Sequence, residues 1–185
     1  MLGLGYPGGP VISKEAERFL NSKSQISDFK IKLPRPMINS GDYNFSFSGL
    51  KTAVLYLLRD LKKKMPNRSD RGYSAEFKKE LVGLIAREFQ QAVVDVLVKK
   101  TIQAAKEYKA KTIILGGGVA ANKELRKQME GAIGKLNFVS LLMPEMRFTG
   151  DNAAMIALAA YFRWIKQKKP AELQALKASG NLKLV

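Results

Sequence analysis

Thr112-Ile113-Ile114-Leu115-Gly116-Gly117-Gly118-Val119-Ala120-Ala121-Asn122 is the stretch around which this 185-residue chain is organised. Four residues with strand propensity run into three glycines, and a helix begins around Asn122 with Lys123-Glu124-Leu125-Arg126-Lys127. Strand, tight turn and helix N-terminus in that order suit an anion or a nucleotide. Glycine lets the backbone approach a ligand with no Cβ in the way. The first helical turn presents unpaired N–H groups at the positive end of the helix dipole. Such turns also occur in α/β proteins that bind nothing there, so a purely structural role stays open for this stretch taken alone.

Composition narrows the chemistry around it. Hydrophobic residues make up 46% of the chain, a globular value. There is no cysteine, which excludes a disulfide framework, a thiolate metal site and a Cys nucleophile. There is no histidine either, so the usual general base and the commonest metal ligand are missing. Acid–base or metal chemistry must use Asp, Glu, Lys or Tyr, or borrow from another chain. Lys plus Arg number 32 against 16 acidic residues, a net charge of +16 that favours polyanionic partners over a merely solvated surface. Lys62, Lys63, Lys64, Arg68 and Arg71, at a helix end and the loop after it, are the first candidates for phosphate contacts. No apolar run reaches the roughly 18 residues of a spanning helix, and no signal peptide is visible, so the expectation is a cytoplasmic protein with no membrane partner.

Upstream of the glycine turn the pattern is mainly helical. Leu4-Gly5-Tyr6-Pro7-Gly8-Gly9-Pro10 reads as a rigid loop with nothing before it to pack on, and Ser13 as the cap of a short helix, Lys14–Leu20. Residues 29–33 alternate as a half-buried strand stopped by Pro34 and Pro36, and the alternation repeats over residues 44–49, which are expected to pair with them. Leu50, Val54, Leu57 and Leu61 mark a helix running to Lys64, and Pro66–Ser74 reads as a loop. Glu76–Tyr108 is the longest helix, apolar over so wide an arc that it belongs between other elements. Downstream, the focal helix fades near Gly131–Gly134 and Phe138–Met143 makes a second strand closed by Pro144. A small-residue helix from Ala153 to Ala160 follows, fit for close packing on a sheet or another helix. The organisation expected is a loop and mainly helical subdomain over 1–110, a β-α-β-α unit over 111–167 and a basic tail over 168–185. One β-α-β-α unit is too little for a complete α/β sheet.

Several site readings compete. Gly116, Gly118 and Ala121 fit the dinucleotide fingerprint, but that pattern needs an acidic residue closing the next strand about 20 residues on. The next strand ends in Leu142-Met143-Pro144, and Glu145 comes too late. No Gly-Lys-Ser/Thr follows the glycines, so a P-loop is excluded. No catalytic nucleophile stands out. Asp151, between Gly150 and Asn152, is either a helix N-cap or a carboxylate pointing into the glycine-turn cleft, where it could hold a metal.

Six motifs occur in one order: Leu4–Pro10, Leu33-Pro34-Arg35-Pro36, Phe45-Ser46-Phe47-Ser48-Gly49-Leu50-Lys51-Thr52, Phe89-Gln90-Gln91-Ala92-Val93-Val94-Asp95, Gly117–Asn122 and Asp151-Asn152-Ala153-Ala154-Met155-Ile156-Ala157. Together they resemble the C-terminal half of the bacterial tRNA threonylcarbamoyladenosine transferases (the TsaD family, formerly called O-sialoglycoprotein endopeptidases), over about residues 1–165. The resemblance implies an α/β fold, here a partial lobe of the actin-like and sugar-kinase ATPase type with a helical insertion. It implies transfer of a threonylcarbamoyl group from threonylcarbamoyl-adenylate to N6 of the adenosine 3′ of the anticodon, in tRNAs reading ANN codons. It implies that Gly9 and Asn122 line the adenylate pocket, that Gly117 and Gly118 give the close backbone approach, and that Asp151 is a ligand of Fe(2+) or Zn(2+). It also implies tRNA, TsaB and TsaE as partners. The family's two metal-binding histidines lie in an N-terminal H-x-x-x-H helix that this chain lacks, so the chain is expected to be a fragment or half of a split gene that needs a missing N-terminal half. The rival expectations are a non-catalytic remnant that binds partner subunits and a dinucleotide-binding protein.

Overall fold

The computed structural model describes residues 2–22, 26, 29–64 and 74–167. The element order is α1 (Gly8–Asn21), α2 (Ser48–Lys64), α3 (Ala75–Glu107), β1 (Thr112–Ile114), α4 (Lys123–Ile133), β2 (Ser140–Leu142) and α5 (Ala153–Gln167), with 3-10 turns at Gly118–Ala121 and Met146–Phe148. The fold is mostly helical around one small parallel sheet. Arg68 and Arg71, and the loop expected over Pro66–Ser74 except its last residue, lie outside the described residues. So do all of the 168–185 tail and the side chain of Lys64.

Helix α3 is the axis. Ser74 caps it, its hydroxyl accepting from the backbone N–H of Phe77 at 3.1 Å, and its 33 residues extend about 50 Å at the usual helical rise. Its sequence is apolar on more than one side, and each side has a neighbour. Ile85 and Ala92 pack with Leu33 and with Leu50, Val54 and Leu61 of α2. Val94 packs with Leu125, Met129 and Ile133 of α4. Leu84 packs with Phe19 of α1 and Ile26. At Gly83 the approach of α1 is so close that a Cβ would sit 2.9 Å from the Cβ of Phe19. The glycine in mid-helix is thus demanded by packing, which outweighs its poor helix propensity.

Three expectations upstream are corrected. Helix α1 starts at Gly8, after an extended Pro7, so Ser13 lies inside it and caps nothing. Pro10 fits in the first turn because an N–H there has no intrahelical acceptor. Residues 29–33 and 44–46 form neither strand nor helix, and Ser48 and Gly49 already belong to α2. The period-two alternation survives in the burial of Ile31 and Leu33, but it is the flank of α3 that receives them. The N–H of Leu33 finds its acceptor in the Glu88 carboxylate at 3.0 Å, where a sheet would have offered a carbonyl.

Downstream, β1 and β2 run parallel in the register Thr112↔Ser140, Ile113↔Leu141 and Ile114↔Leu142, with α4 as the crossover. β2 is shorter than the expected 138–143. Ile113 and Leu141 face α4 and α3. The other face is bare: Ile114 is 76% exposed and Leu142 55%. Helix α5 has the small residues that would allow close packing, yet Met155, Ile156, Leu158, Tyr161, Phe162, Trp164 and Ile165 are all exposed. Among the described residues nothing covers it. No helix among them is long and apolar enough to cross a membrane.

Candidate functional site

The glycine turn opens onto a cleft of about 560 Å³ between the first turns of α1, the middle of α3 and the N-terminus of α4. Gly9, Ser13, Gln90, Gly118 and Asn122 line it. Three of the four residues expected to bind substrate therefore meet across more than a hundred positions of sequence. Gly117, the fourth, sits just behind and shapes the turn. Its φ of 82° is one that only glycine adopts without strain. Gly118 differs. Its φ is ordinary and a Cβ there would meet nothing within 4 Å beyond its own stretch of chain, so neither torsion nor packing explains it, and Gly118 lines the cleft.

Asn122 is the knot of the site. Its Oδ1 accepts from the N–H of Leu125 at 2.9 Å, capping α4. Its Nδ2 donates to Ser13 Oγ and to Gln90 Oε1, both at 2.9 Å. Both amide protons are thereby used, and one lone pair of Oδ1 remains. One side chain thus ties α1, α3 and α4 together at the cleft. Ser13, expected as a helix cap, is one of its partners. Arg126, one turn into α4, donates through Nη2 to the carbonyl of Pro144 at 2.7 Å and through Nε to that of Ala120, fixing the glycine turn against the exit of β2. At the rim Lys123 pairs with Glu17 at 3.3 Å, an exposed contact worth little in stability.

Asp151 stands apart. It is exposed, is not among the residues lining the cleft and has no partner among the described residues. It is not the N-cap of α5. The neighbouring Asn152 has that role, its Oδ1 accepting from the N–H of Met155 at 2.9 Å. Among the described residues no three Asp or Glu side chains gather as a metal site would require. A single carboxylate does not give a transition metal the several ligands at fixed geometry that affinity needs. The residues present do not by themselves fit iron or zinc.

Sequence reasoning missed Ser13, Gln90 and Arg126 as parts of the site. Gln90 carried only its place in the Phe89–Asp95 motif. Ser13 and Arg126 carried no signal, since each acts through a contact distant in sequence or through backbone carbonyls.

Comparison with known proteins bears on this site. The family model described as TsaD, tRNA N6-adenosine threonylcarbamoyltransferase, matches residues 1–158. A protein of that name from Thermosipho africanus is 43% identical over 184 residues, covering all of this chain and 48% of the relative. One from Thermosipho melanesiensis is 47% identical over 87% of this chain and 42% of its own length. One from Bacillus subtilis is 42% identical over 85% of this chain and 40% of its own length. The chain spans about half the length of the curated relatives it matches.

Proposed function

The chain belongs to the TsaD family, the tRNA N6-adenosine threonylcarbamoyltransferases, and we propose that its glycine-lined cleft holds the adenylate part of threonylcarbamoyl-adenylate. The convergence of Gly9, Gly118 and Asn122 on one cleft is the observation that carries this reading. In the reaction proposed, N6 of the adenosine 3′ of the anticodon attacks the carbamoyl carbonyl in a tRNA reading ANN codons. The N6–C bond forms, the C–O bond to the phosphate breaks, AMP departs and the amine releases a proton. The mixed anhydride is already activated, so no protein nucleophile is required. The work of this chain is to bind and orient: the open space at Gly118 lets the backbone approach the nucleotide, and Asn122 holds α1, α3 and α4 at the spacing that makes the cleft.

An actin-like or sugar-kinase-like lobe is the architecture this reading implies, completed by the N-terminal half of the relatives. The bare sheet face at Ile114 and Leu142 and the uncovered α5 support such a completion, because parallel sheets are ordinarily covered on both faces. TsaB and TsaE are the further subunits proposed. Asp151 takes a metal-ligand role only where that assembly supplies the other ligands. The second reading, a non-catalytic remnant that binds partner subunits, draws on the lack of a metal-ligand cluster among the described residues.

Calorimetric titration with AMP, of the chain alone and of the chain co-purified with the N-terminal half of the Thermosipho africanus relative, tests the cleft. Wild type is expected to bind, and Gly118→Val to lose at least about tenfold in affinity with an unchanged circular dichroism spectrum. Absence of AMP binding in both preparations overturns the reading, and displacement of AMP by NAD at lower concentration favours a dinucleotide site. In the co-purified assembly Asp151→Ala is expected to remove bound iron or zinc, and equal metal content in both proteins removes the ligand assignment.

A further inference from the structure

A second concavity, of about 530 Å³, lies between the segment 29–33 and the flank of α3. Lys30 and Lys32 line it from the segment and Arg87 from the helix, and all three are exposed. The alternation that turns Ile31 and Leu33 toward the core leaves the lysines outward at every second position. The one acid in the lining, Glu88, is already taken. Its carboxylate pairs with Arg35 and accepts the N–H of Leu33. Among the described residues Lys30, Lys32 and Arg87 have no acidic partner, so three charges in a hollow are uncompensated. Phe29, 42% exposed, stands at the same wall.

We propose that this groove holds the sugar–phosphate backbone of an RNA strand, with Phe29 stacking on an unpaired base. Cations on both walls of a concavity follow a polyanion as cations scattered on a convex surface do not, and an aromatic ring among them distinguishes a nucleic acid from an acidic protein. The groove also adjoins the adenylate cleft. Gln91 lines the groove and Gln90 the cleft, successive residues of α3 set about a quarter-turn apart. Gln91 is fixed there, exchanging hydrogen bonds with Gln128 of α4 at 2.8 and 3.1 Å. A strand in the groove therefore passes beside the cleft. This inference rests on the reading of the chain as part of a tRNA-modifying enzyme and gives the RNA a place on it. It differs from the basic cluster the sequence suggested at the end of α2.

Fluorescence anisotropy with a short labelled RNA hairpin tests it. Joint replacement Lys30→Gln, Lys32→Gln and Arg87→Gln is expected to weaken binding about tenfold or more. It should also flatten the dependence of log affinity on log salt by about 2, from three lost phosphate contacts. Phe29→Ala is expected to cost about fivefold or more. Lys106→Gln, Lys109→Gln and Lys111→Gln, an equal loss of charge near the C-terminal end of α3, serves as the control and should cost far less. Equal losses in both triple variants, no loss in the groove variant, or no measurable RNA binding by wild type each overturn the groove; the second outcome leaves it to an acidic protein surface. AMP affinity measured on the same proteins separates the two sites: groove-sensitive RNA binding without AMP binding removes the adenylate reading and leaves the groove standing.

Discussion

Val94 and Trp164 are both large apolar residues on alanine-containing helices, and they end in opposite circumstances. Val94, in α3, is 2% exposed, while Trp164, in α5, is 57% exposed. Helix α3 meets α1, α2, α4 and the 29–33 segment, and each meeting fills one side of it. Helix α5 meets nothing comparable among the described residues. An apolar helix specifies only that something must cover it. In the first case the cover lies among the described residues; in the second none of them supplies it, and the exposed face of the β1–β2 sheet makes the same demand.

The contrast can be broken most forcefully by truncating one residue in each region. Ile85→Ala removes a fully buried side chain where α2 and α3 pack and is expected to cost about 2–5 kcal/mol. Ile156→Ala on α5 is expected to change stability by less than about 0.5 kcal/mol. Urea unfolding followed by circular dichroism compares the two, and similar costs would mean that α5 is covered in solution.

A matched pair of caps sharpens the same point at smaller scale. Asn122 and Asn152 each accept a backbone N–H three residues on, at 2.9 Å. Asn122→Ala should cost about 1–2 kcal/mol of global stability, since a cap alone is worth about 1 and the links to Ser13 and Gln90 go with it. Asn152→Ala should lower helicity slightly and leave the main unfolding midpoint in place, because fraying of α5 is not coupled to the core. A shift of that midpoint equal to the one produced by Asn122→Ala would remove the distinction.

The smallest effect concerns the loop clamped to α3 by Lys100, whose ammonium bonds the carbonyl of Asp42 at 2.6 Å and Ser40 Oγ at 2.7 Å. Hydrogen bonds from Ser40 and Asn44, with a lesser contribution from Lys100, lower the Asp42 carboxyl from 3.8 to about 2. A depressed folded-state value stabilises above the unfolded one, so this contribution is complete above about pH 4 and is lost as pH falls toward 2. Melting temperatures across that window should fall less steeply for Asp42→Asn than for wild type. Parallel curves would show that the carboxylate does not matter there.

What the sequence disclosed was local. The start of α4 around Asn122, the spans of α3 and α4 and the β1–turn–α4 unit all follow from propensity, periodicity and turn chemistry acting within a few residues. What it withheld depended on partners. The alternation over 29–33 is real, but whether a strand or the flank of α3 receives it is decided across about 55 positions. Pro7-Gly8-Gly9-Pro10 reads as a loop until one notices that a helix's first turn needs none of the N–H groups it lacks or leaves free. In the site, Gly9, Gly118 and Asn122 were named through the family resemblance, whereas the bonds from Asn122 to Ser13 and Gln90 are tertiary and left no mark in either neighbourhood. Asp151 was offered a cap that belongs to Asn152, an offset of one residue that spacing alone does not resolve.

The chain holds a single tryptophan, and it is Trp164 on the uncovered helix. Its indole in water emits at long wavelength, and burial by an arriving surface would move that emission to the blue with no other indole to mask the change. The protein thus carries its own optical gauge of assembly: the same fluorescence trace that follows a partner closing over α5 stays silent when AMP enters the cleft or RNA the groove.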